Sequence, residues 1–320
     1  MADPAGFPTA ILTAMAAPDT SAGGLLRVHA LMVLSWGLVA TSFPVGAAIA
    51  HGLDPKLLTL LRFILASALF APYVVLRHGL TWPGWPAMLR YATIGACIAT
   101  FFWCMFEALL LTSALNTGTL FTLVPGISAI YAAVLVRERL GGHRLVALAC
   151  GLIGALWVIF RGDPARLLAL DLNLGDLIFF GGCLAMGFYM PLVRRFHRGE
   201  PTAVMTLWVL ISAAGWLLLF NNTALWRIPW WHSEGKVFAG IAYLAVFTTI
   251  ATFFLQQYAT PRIGPTRVTS YSYLIPAFVV GIEWLAGQGL PPPMTLPGIA
   301  VILIAIVVLQ RGAGADPTLG

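Results

Sequence analysis

The sequence predicts an all-α integral membrane protein of ten transmembrane helices, arranged as two inverted five-helix repeats. Hydrophobic residues make up 59% of the 320-residue chain and charged residues only 9%, whereas soluble proteins carry roughly 25% charged residues. The apolar residues come in blocks of about 20, the length of helix that crosses a hydrocarbon core. The two halves of the chain also share a pattern, described below.

The apolar blocks follow one another along almost the whole chain. They run 28–50, 57–76, 91–112, 117–136, 145–160, 175–193, 203–220, 236–258, 268–288 and 297–311. A transmembrane β-barrel would instead show segments of about ten residues with strict alternation. Residues 1–24 are expected to form a disordered cytoplasmic tail, because no basic segment of a signal peptide precedes their mildly apolar part.

Lysine and arginine predict the orientation of these helices. With the N-terminus placed in the cytoplasm, twelve basic residues fall on the cytoplasmic side and five on the opposite side. Cytoplasmic loops are enriched in basic residues, so we expect a bacterial inner-membrane protein with both termini in the cytoplasm. The formal net charge of +6 is therefore interpreted as a topology signal, and no nucleic-acid partner is expected.

A repeat relates the halves, which we place at 25–160 and 175–311. When residues 107–157 are laid on 258–308, a constant shift of 151 puts Pro125 on Pro276. Since each half holds five predicted helices, the second half enters the membrane from the opposite side, and the repeat is inverted. Substrate sites in inverted-repeat transporters lie near the midplane, at helices broken by glycine or proline.

Pro125 and Pro276 are therefore the main pointers to a binding site. Each lacks an N–H and frees a carbonyl one turn earlier, at Phe121 and Ser272. The alternative is that each proline only bends its helix for packing.

Several stretches resemble the EamA-like branch of the drug/metabolite transporter superfamily. They are SWGLVATSFPVG in the first block, LDPKLLTLLRFILASALF in the second, ALNTGTLFTLVPGISAIYAAVLVRERL through the fourth, and a second copy, ATPRIGPTRVTSYSYLIPAFVVGIEWLAGQGL. The resemblance implies a carrier of amino acids, metabolites or drugs, often working by proton exchange. One departure is that Gly289 or Gln288 stands where the second copy of Glu138 would fall.

Three ionisable residues lie inside the predicted spans: Arg62, Glu107 and Glu283. Each costs about 2.5–3.5 kcal/mol to place in a membrane, so each is a functional candidate. Glu107 or Glu283 would carry a coupling proton or meet a cationic substrate group, while Arg62 would bias a pKa or bind a carboxylate. The alternatives are an ion pair between Arg62 and one glutamate, or an Arg62 side chain that extends to the outer interface.

Other polar and aromatic residues of the spans could line an amphipathic cavity, although each could equally serve packing. Such a cavity suits solutes that are mostly apolar with a few polar groups. With the two prolines, the candidate substrate-binding residues are Trp36, Thr41, Trp103, Thr122, Pro125, Tyr189, Gln256, Ser272, Tyr273 and Pro276.

The sequence favours a transporter over an enzyme. The six histidines are scattered singly, and the chain has neither a His-Glu-x-x-His nor a Gly-x-Ser-x-Gly motif. We therefore predict no cofactor and no metal, and interpret the chain as a secondary active exporter of small amphipathic organic solutes that works by alternating access. A channel or facilitator without ion coupling stays open as the alternative. The state of association stays open too, as monomer or homodimer, since Gly151, Gly154 and Ala155 offer a surface for close helix approach.

Overall fold

All regular elements in the described part of the chain are helices. The computed structural model describes residues 22–49, 52–79, 81–112, 117, 120–138, 141–169, 173–221, 231, 233–285 and 293–310. The main helices are α1 (Ala22–Ile49), α2 (Pro55–His78), α3 (Trp85–Leu109), α4 (Val124–Leu135), α5 (Gly142–Ile159), α6 (Leu174–Phe196), α7 (Thr202–Asn221), α8 (Gly235–Ile263), α9 (Pro265–Ser270, Tyr271–Leu274 and Ile275–Leu285) and α10 (Leu296–Gln310). Short helical turns at Pro164–Leu168 and Pro293–Thr295 lie in connections.

Eight helices within the described residues are long and apolar enough to cross a membrane. The prediction of an all-α, multi-pass membrane protein is thus confirmed. Two further segments, α4 with Pro125 and α9 with Pro276, are not among these eight long helices. α4 has only 12 residues, and α9 is divided by a 3-10 turn at Tyr271–Leu274. The sequence had predicted one continuous helix for each, over 117–136 and 268–288.

The prolines account for both interruptions. Pro125 is the second residue of α4, directly after a turn at Thr122 and Leu123. Pro276 is the second residue of the last piece of α9, directly after the 3-10 turn. A proline fits the first turn of a helix, where its missing N–H would have no partner in any case. Each proline therefore begins a helix here, rather than bending the interior of a continuous one.

The helices of one half pack mainly against helices of the other half. α1 packs against α8 and α9, and α6 packs against α3 and α4. α2 packs against α7, and α5 against α10. Many apolar side chains remain on the outside of this bundle, among them Leu76 at 81% and Val134 at 73% exposure, as expected of a surface that faces lipid.

Two glycines allow α5 and α10 to approach closely. A Cβ built on Gly154 would lie 2.9 Å from the carbonyl oxygen of Gly298, and one built on Gly298 would lie 2.9 Å from the carbonyl oxygen of Gly154. Gly151 of α5 lies against the ring of Tyr273 in the same way, at 2.6 Å. The small residues of α5 thus serve packing within the chain.

Some sequence-based expectations fall outside the described residues. α1 begins at Ala22, slightly inside the segment expected to be a tail, and residues 1–21 are not among the described ones. The same holds for Gln288 and Gly289, and for the side chain of Glu283, whose backbone lies in α9.

Candidate functional site

Arg62 lies in the interior of the helix bundle and is 1% exposed. Its Nε donates to Thr249 Oγ1 at 2.6 Å. Its Nη2 donates to Thr248 Oγ1 at 2.9 Å and to the Thr248 carbonyl oxygen at 3.1 Å. The guanidinium thus joins α2 of the first half to α8 of the second.

The backbone that receives Arg62 is π-helical, from Val246 to Ala251. A π-helix shifts each hydrogen bond to the fifth residue along, and such turns are frequent at functional sites. Here Thr249 Oγ1 also donates to the carbonyl oxygen of Leu244, five residues earlier, at 2.8 Å. The π-turn thereby presents two adjacent threonines toward α2.

No acidic side chain among the described residues neutralises Arg62, since the ion pairs there join Lys56 to Glu107 and Lys236 to Glu234. The ring of Phe102 lies 4.3 Å from Arg62 Cζ, which is a favourable cation–π geometry. The third nitrogen, Nη1, has no protein acceptor within this part of the chain. A guanidinium stays charged in proteins, and a buried charge without a counter-charge is costly. The arrangement is therefore suited to receiving an anionic or strongly accepting group.

A series of aromatic rings runs past Arg62 and links four other helices and the turn before α4. The rings are, in order, Trp36, Phe121, Phe101, Phe102, Phe253 and Tyr189, with neighbouring centroids 5.0 to 6.5 Å apart. Aromatic pairs at this spacing are favourable, and their flat faces suit an apolar or planar solute. All of these rings are buried, so a solute can enter only if helices separate.

Hydrogen bonds between helices surround the aromatic series. Trp36 Nε1 donates to the carbonyl oxygen of Val268 in α9 at 2.9 Å. Gln256 Nε2 donates to Ser35 Oγ at 3.3 Å, while Gln256 Oε1 is buried without a partner. Gln257 Nε2 donates to Tyr189 Oη at 3.2 Å. These bonds fix α1, α6, α8 and α9 around one centre.

The structure brings several of the candidate binding residues to this centre. Trp36, Tyr189 and Gln256 lie there with Arg62, through the contacts given above. Thr41 bonds to Tyr243 Oη at 2.7 Å on the neighbouring turns of α1 and α8. Thr122, Pro125, Ser272 and Pro276 are buried at the interrupted parts of α4 and α9, and Ser272 Oγ has no partner there.

Trp103 and Glu107 lie elsewhere, near the end of the bundle where α2 begins and α3 ends. Trp103 Nε1 donates to Glu107 Oε1 at 3.1 Å, and Lys56 Nζ lies 3.6 Å from the same oxygen. The Glu107 side chain is 31% exposed. Tyr273 also points away from the centre, because its Oη donates to the carbonyl oxygen of Leu148 in α5 at 3.1 Å.

Sequence reasoning missed four residues of α8. Thr248 and Thr249 bond to Arg62, and Phe253 and Gln257 contact Tyr189. The sequence did contain a pattern that marks one face of α8 as polar. Thr249, Thr252, Gln256 and Thr260 recur every three or four residues in an otherwise apolar block, which places them on one helix face. Within the described residues, no three His, Cys, Asp or Glu side chains come together as metal ligands would.

Comparison with known proteins identifies the family. The model of the EamA-like transporter family matches residues 26–160 and 173–311. The chain belongs to this family. A solved crystal structure superposes on the EamA-like transporter with a TM-score of 0.72 at 20% identity, covering 92% of this chain and 100% of the other, which shows the same fold.

Curated relatives of this EamA-like transporter carry transporter names. "Uncharacterized transporter YyaM" of Bacillus subtilis is 26% identical over 62% of this chain, and the match spans 65% of that protein's length. "Probable terminal-alkyne amino-acid exporter" of Streptantibioticus cattleyicolor is 24% identical over 61% of this chain and 64% of its own length. The "Riboflavin transporter" of Vibrio cholerae is 24% identical over 88% of this chain and 92% of its own length. Family and relatives alike point to a multi-pass membrane transporter of small molecules rather than to an enzyme.

Proposed function

We propose that the chain is a secondary active carrier that exports small amphipathic organic solutes, such as amino acids, metabolites or drugs, by alternating access. Two relatives' names refer to an amino acid and to riboflavin, which are small organic molecules. The observation that carries the proposal is the buried centre, where Arg62 has no acidic partner among the described residues and lies against Phe102, one of a series of six aromatic rings. A solute with one charged or polar group and an apolar body matches that combination.

The solute would contact Trp36, Tyr189 and Gln256 directly, with Arg62 facing its polar group. Thr122 and Ser272 would supply hydrogen bonds from the interrupted helices, where Pro125 and Pro276 keep the backbone irregular. Thr41 would border the same space through α1. Trp103 and Tyr273 now bond to Glu107 and Leu148, so they would join only after a helix movement.

The proposal includes coupling of transport to protons. Glu107 or Glu283 would carry the proton, and Arg62 would act with the solute or bias the titration of a nearby carboxyl. Glu107 sits at one end of the bundle beside Lys56, with its side chain 31% exposed. Its ion pair with Lys56 would then break and re-form in each transport cycle.

Alternating access would follow from inverted repeats, with ten spans and both termini in the cytoplasm of a bacterial inner membrane. The packing supports this. In an inverted repeat, α1 corresponds to α6, α3 to α8 and α4 to α9. The contacts of α1 with α8 and α9 then correspond to the contacts of α6 with α3 and α4, which are observed. The pairs α2–α7 and α5–α10 each join a helix to its own counterpart. The family model also divides the chain at nearly the same points, 26–160 and 173–311, as the proposed repeats 25–160 and 175–311.

Transport assays with purified protein in liposomes would test the proposal. Radiolabelled amino acids and riboflavin are supplied with and without a pH gradient, and counterflow is measured for each. A carrier shows saturation and counterflow, whereas a channel shows neither. Glu107→Gln and Glu283→Gln are compared with the parent chain. Unchanged pH dependence in both variants would remove the proton-coupling part, and absence of counterflow for every solute that crosses would remove the carrier itself.

A further inference from the structure

A basic cavity of about 400 Å³ opens at the ends of α4 and α6. It is lined by Leu135, Val136, Arg137, Arg194 and Arg195. Arg137 and Arg195 are exposed, and neither forms an ion pair with any described residue. The cavity thus holds at least two cationic groups that no described residue neutralises, and Leu135 and Val136 give its wall an apolar part.

Exposed apolar side chains lie on α4 and α6, the two helices that end at this cavity. On α4, Ile130 and Val134 are 64% and 73% exposed and share a helix face, and the helix ends at Leu135, two residues before Arg137. On α6, Leu184 and Arg195 share a face with Phe188. Each helix therefore has apolar side chains along its length and an arginine of the cavity at its end or just after it.

The two helices also touch each other beside these side chains. The rings of Tyr131 in α4 and Phe188 in α6 are stacked, with centroids 3.6 Å apart and planes at 17°. Both rings are half-buried. A flexible apolar chain can lie against the exposed apolar side chains of α4 and α6 with its polar end at the arginines.

The backbone at Arg137 is left-handed. Its φ is 54°, in the region that glycine occupies at little cost and that other residues occupy rarely. Arg161, after α5, has the same conformation with φ 55°, so this conformation by itself does not mark a binding residue.

Arg194 has a different environment from the other two. Its Nη1 and Glu138 Oε1 both lie against Gly264 of the second half, 3.7 and 3.5 Å from the place of a Cβ on that glycine. Glu138 therefore offsets part of the charge of Arg194 on the inner side of the cavity. The charge that remains for a ligand lies on the outer side, at Arg137 and Arg195.

We propose that this cavity binds the phosphate diester of an anionic phospholipid, with an acyl chain against the exposed apolar side chains of α4 and α6. Arginine forks match phosphate oxygens in charge and geometry, and basic pockets at the ends of transmembrane helices are known to accept lipid head groups. A soluble phosphate would use the arginines but not the exposed apolar side chains of α4 and α6. The presence of both features on the same two helices is what favours a lipid.

The test is the thermal unfolding of the full-length protein in detergent, with added phosphatidylglycerol or with phosphatidylcholine of the same acyl chains. Phosphatidylglycerol is expected to raise the Tm by several degrees more than phosphatidylcholine does. Arg137→Gln combined with Arg195→Gln should abolish that difference. Arg161→Gln is the matched control, because Arg161 also ends a helix with φ 55° but does not line the cavity, and it should keep the full difference.

Three results would overturn the proposal. One is a phosphatidylglycerol effect no larger than that of phosphatidylcholine, and another is an unchanged effect in the double variant. The third is an equal shift from inorganic phosphate or soluble glycerol phosphate, which would assign the cavity to a free anion. Should the double variant not fold, native mass spectrometry decides on Arg195→Gln alone, which must retain fewer phosphatidylglycerol molecules than the parent chain.

Discussion

Arg62 Nε and Thr249 Oγ1 are 2.6 Å apart, in a hydrogen bond that joins the first half of the chain to the π-turn of the second. Thr249→Val keeps the shape of the side chain and removes this acceptor. The buried Nε–H donor of the charged Arg62 guanidinium is then left unpaired, which costs about 1–3 kcal/mol, so a lower Tm is expected in thermal unfolding of the purified protein.

Two variants control that experiment. Thr249→Ser retains the hydroxyl and should stay close to the parent Tm. Thr93→Val makes the same chemical change at an exposed threonine that bonds only to its own helix at Leu89, and should alter stability by no more than about 0.5 kcal/mol. Equal Tm values for Thr249→Val and Thr93→Val would show that the contact with Arg62 contributes nothing.

The indole of Trp36 provides a second prediction. Trp36→Phe removes the donor to the Val268 carbonyl while keeping a ring beside Phe121. Loss of this bond between α1 and α9 should cost about 1 kcal/mol. Trp208→Phe is the matched control, because the Trp208 Nε1 is buried without a partner, and this change should cost less. A larger loss of stability in Trp208→Phe than in Trp36→Phe would contradict the assignment.

A glycine-to-alanine substitution should lower stability at Gly154, which contacts Gly298, and raise it at a glycine with open space around it. Gly154→Ala would force its Cβ to 2.9 Å from a backbone oxygen, and such overpacking costs about 1–3 kcal/mol. Gly215→Ala in α7 meets nothing within 4 Å and should stabilise the protein by about 0.4–1 kcal/mol, since alanine lowers the entropy of the unfolded chain. The two Tm shifts should therefore have opposite signs.

Glu138, in the connection after α4, predicts a pH-dependent effect. Burial raises the pKa of its carboxyl above the ordinary 4.5, and Thr266, Arg194 and Arg267 lower it by less. The folded protein therefore binds this proton more tightly than the unfolded chain does, and the carboxyl lowers stability as pH rises above 4.5. Glu138→Gln cannot ionise, so its Tm should exceed that of the parent at pH 7.

The same substitution should make little difference once the pH falls below 4.5. Glu234→Gln serves as the control, because the Glu234 side chain is 71% exposed and should change stability little at neutral pH. A parent chain more stable than Glu138→Gln at pH 7 would mean that the arginines outweigh burial at this carboxyl.

Parts of the fold and of the candidate site were predictable because they depend on local sequence. Helix interruptions at Pro125 and Pro276 follow from the missing N–H of proline, although the helices begin at these prolines rather than continuing through them. The Trp103–Glu107 bond joins residues four apart on one helix, a spacing that brings side chains together in any helix. The acceptors of Arg62 lie more than 180 residues away in the chain, and no local rule identifies them.

The sequence alone determined that this chain is a helical membrane protein of the EamA-like family. The signals were its hydropathy, the paired prolines and the ordered motifs, and they also placed polar residues within the spans. Those properties are local and add up along the chain, so tertiary contacts are not needed to recognise them. Which polar groups meet was decided by the rotation of each helix about its axis and by its packing neighbours. The π-turn of α8 turns Thr248 and Thr249 toward Arg62, while α3 turns Glu107 toward Lys56. Two charged residues that were both predicted to lie inside the spans therefore have different partners, and only Arg62 lies in the buried centre.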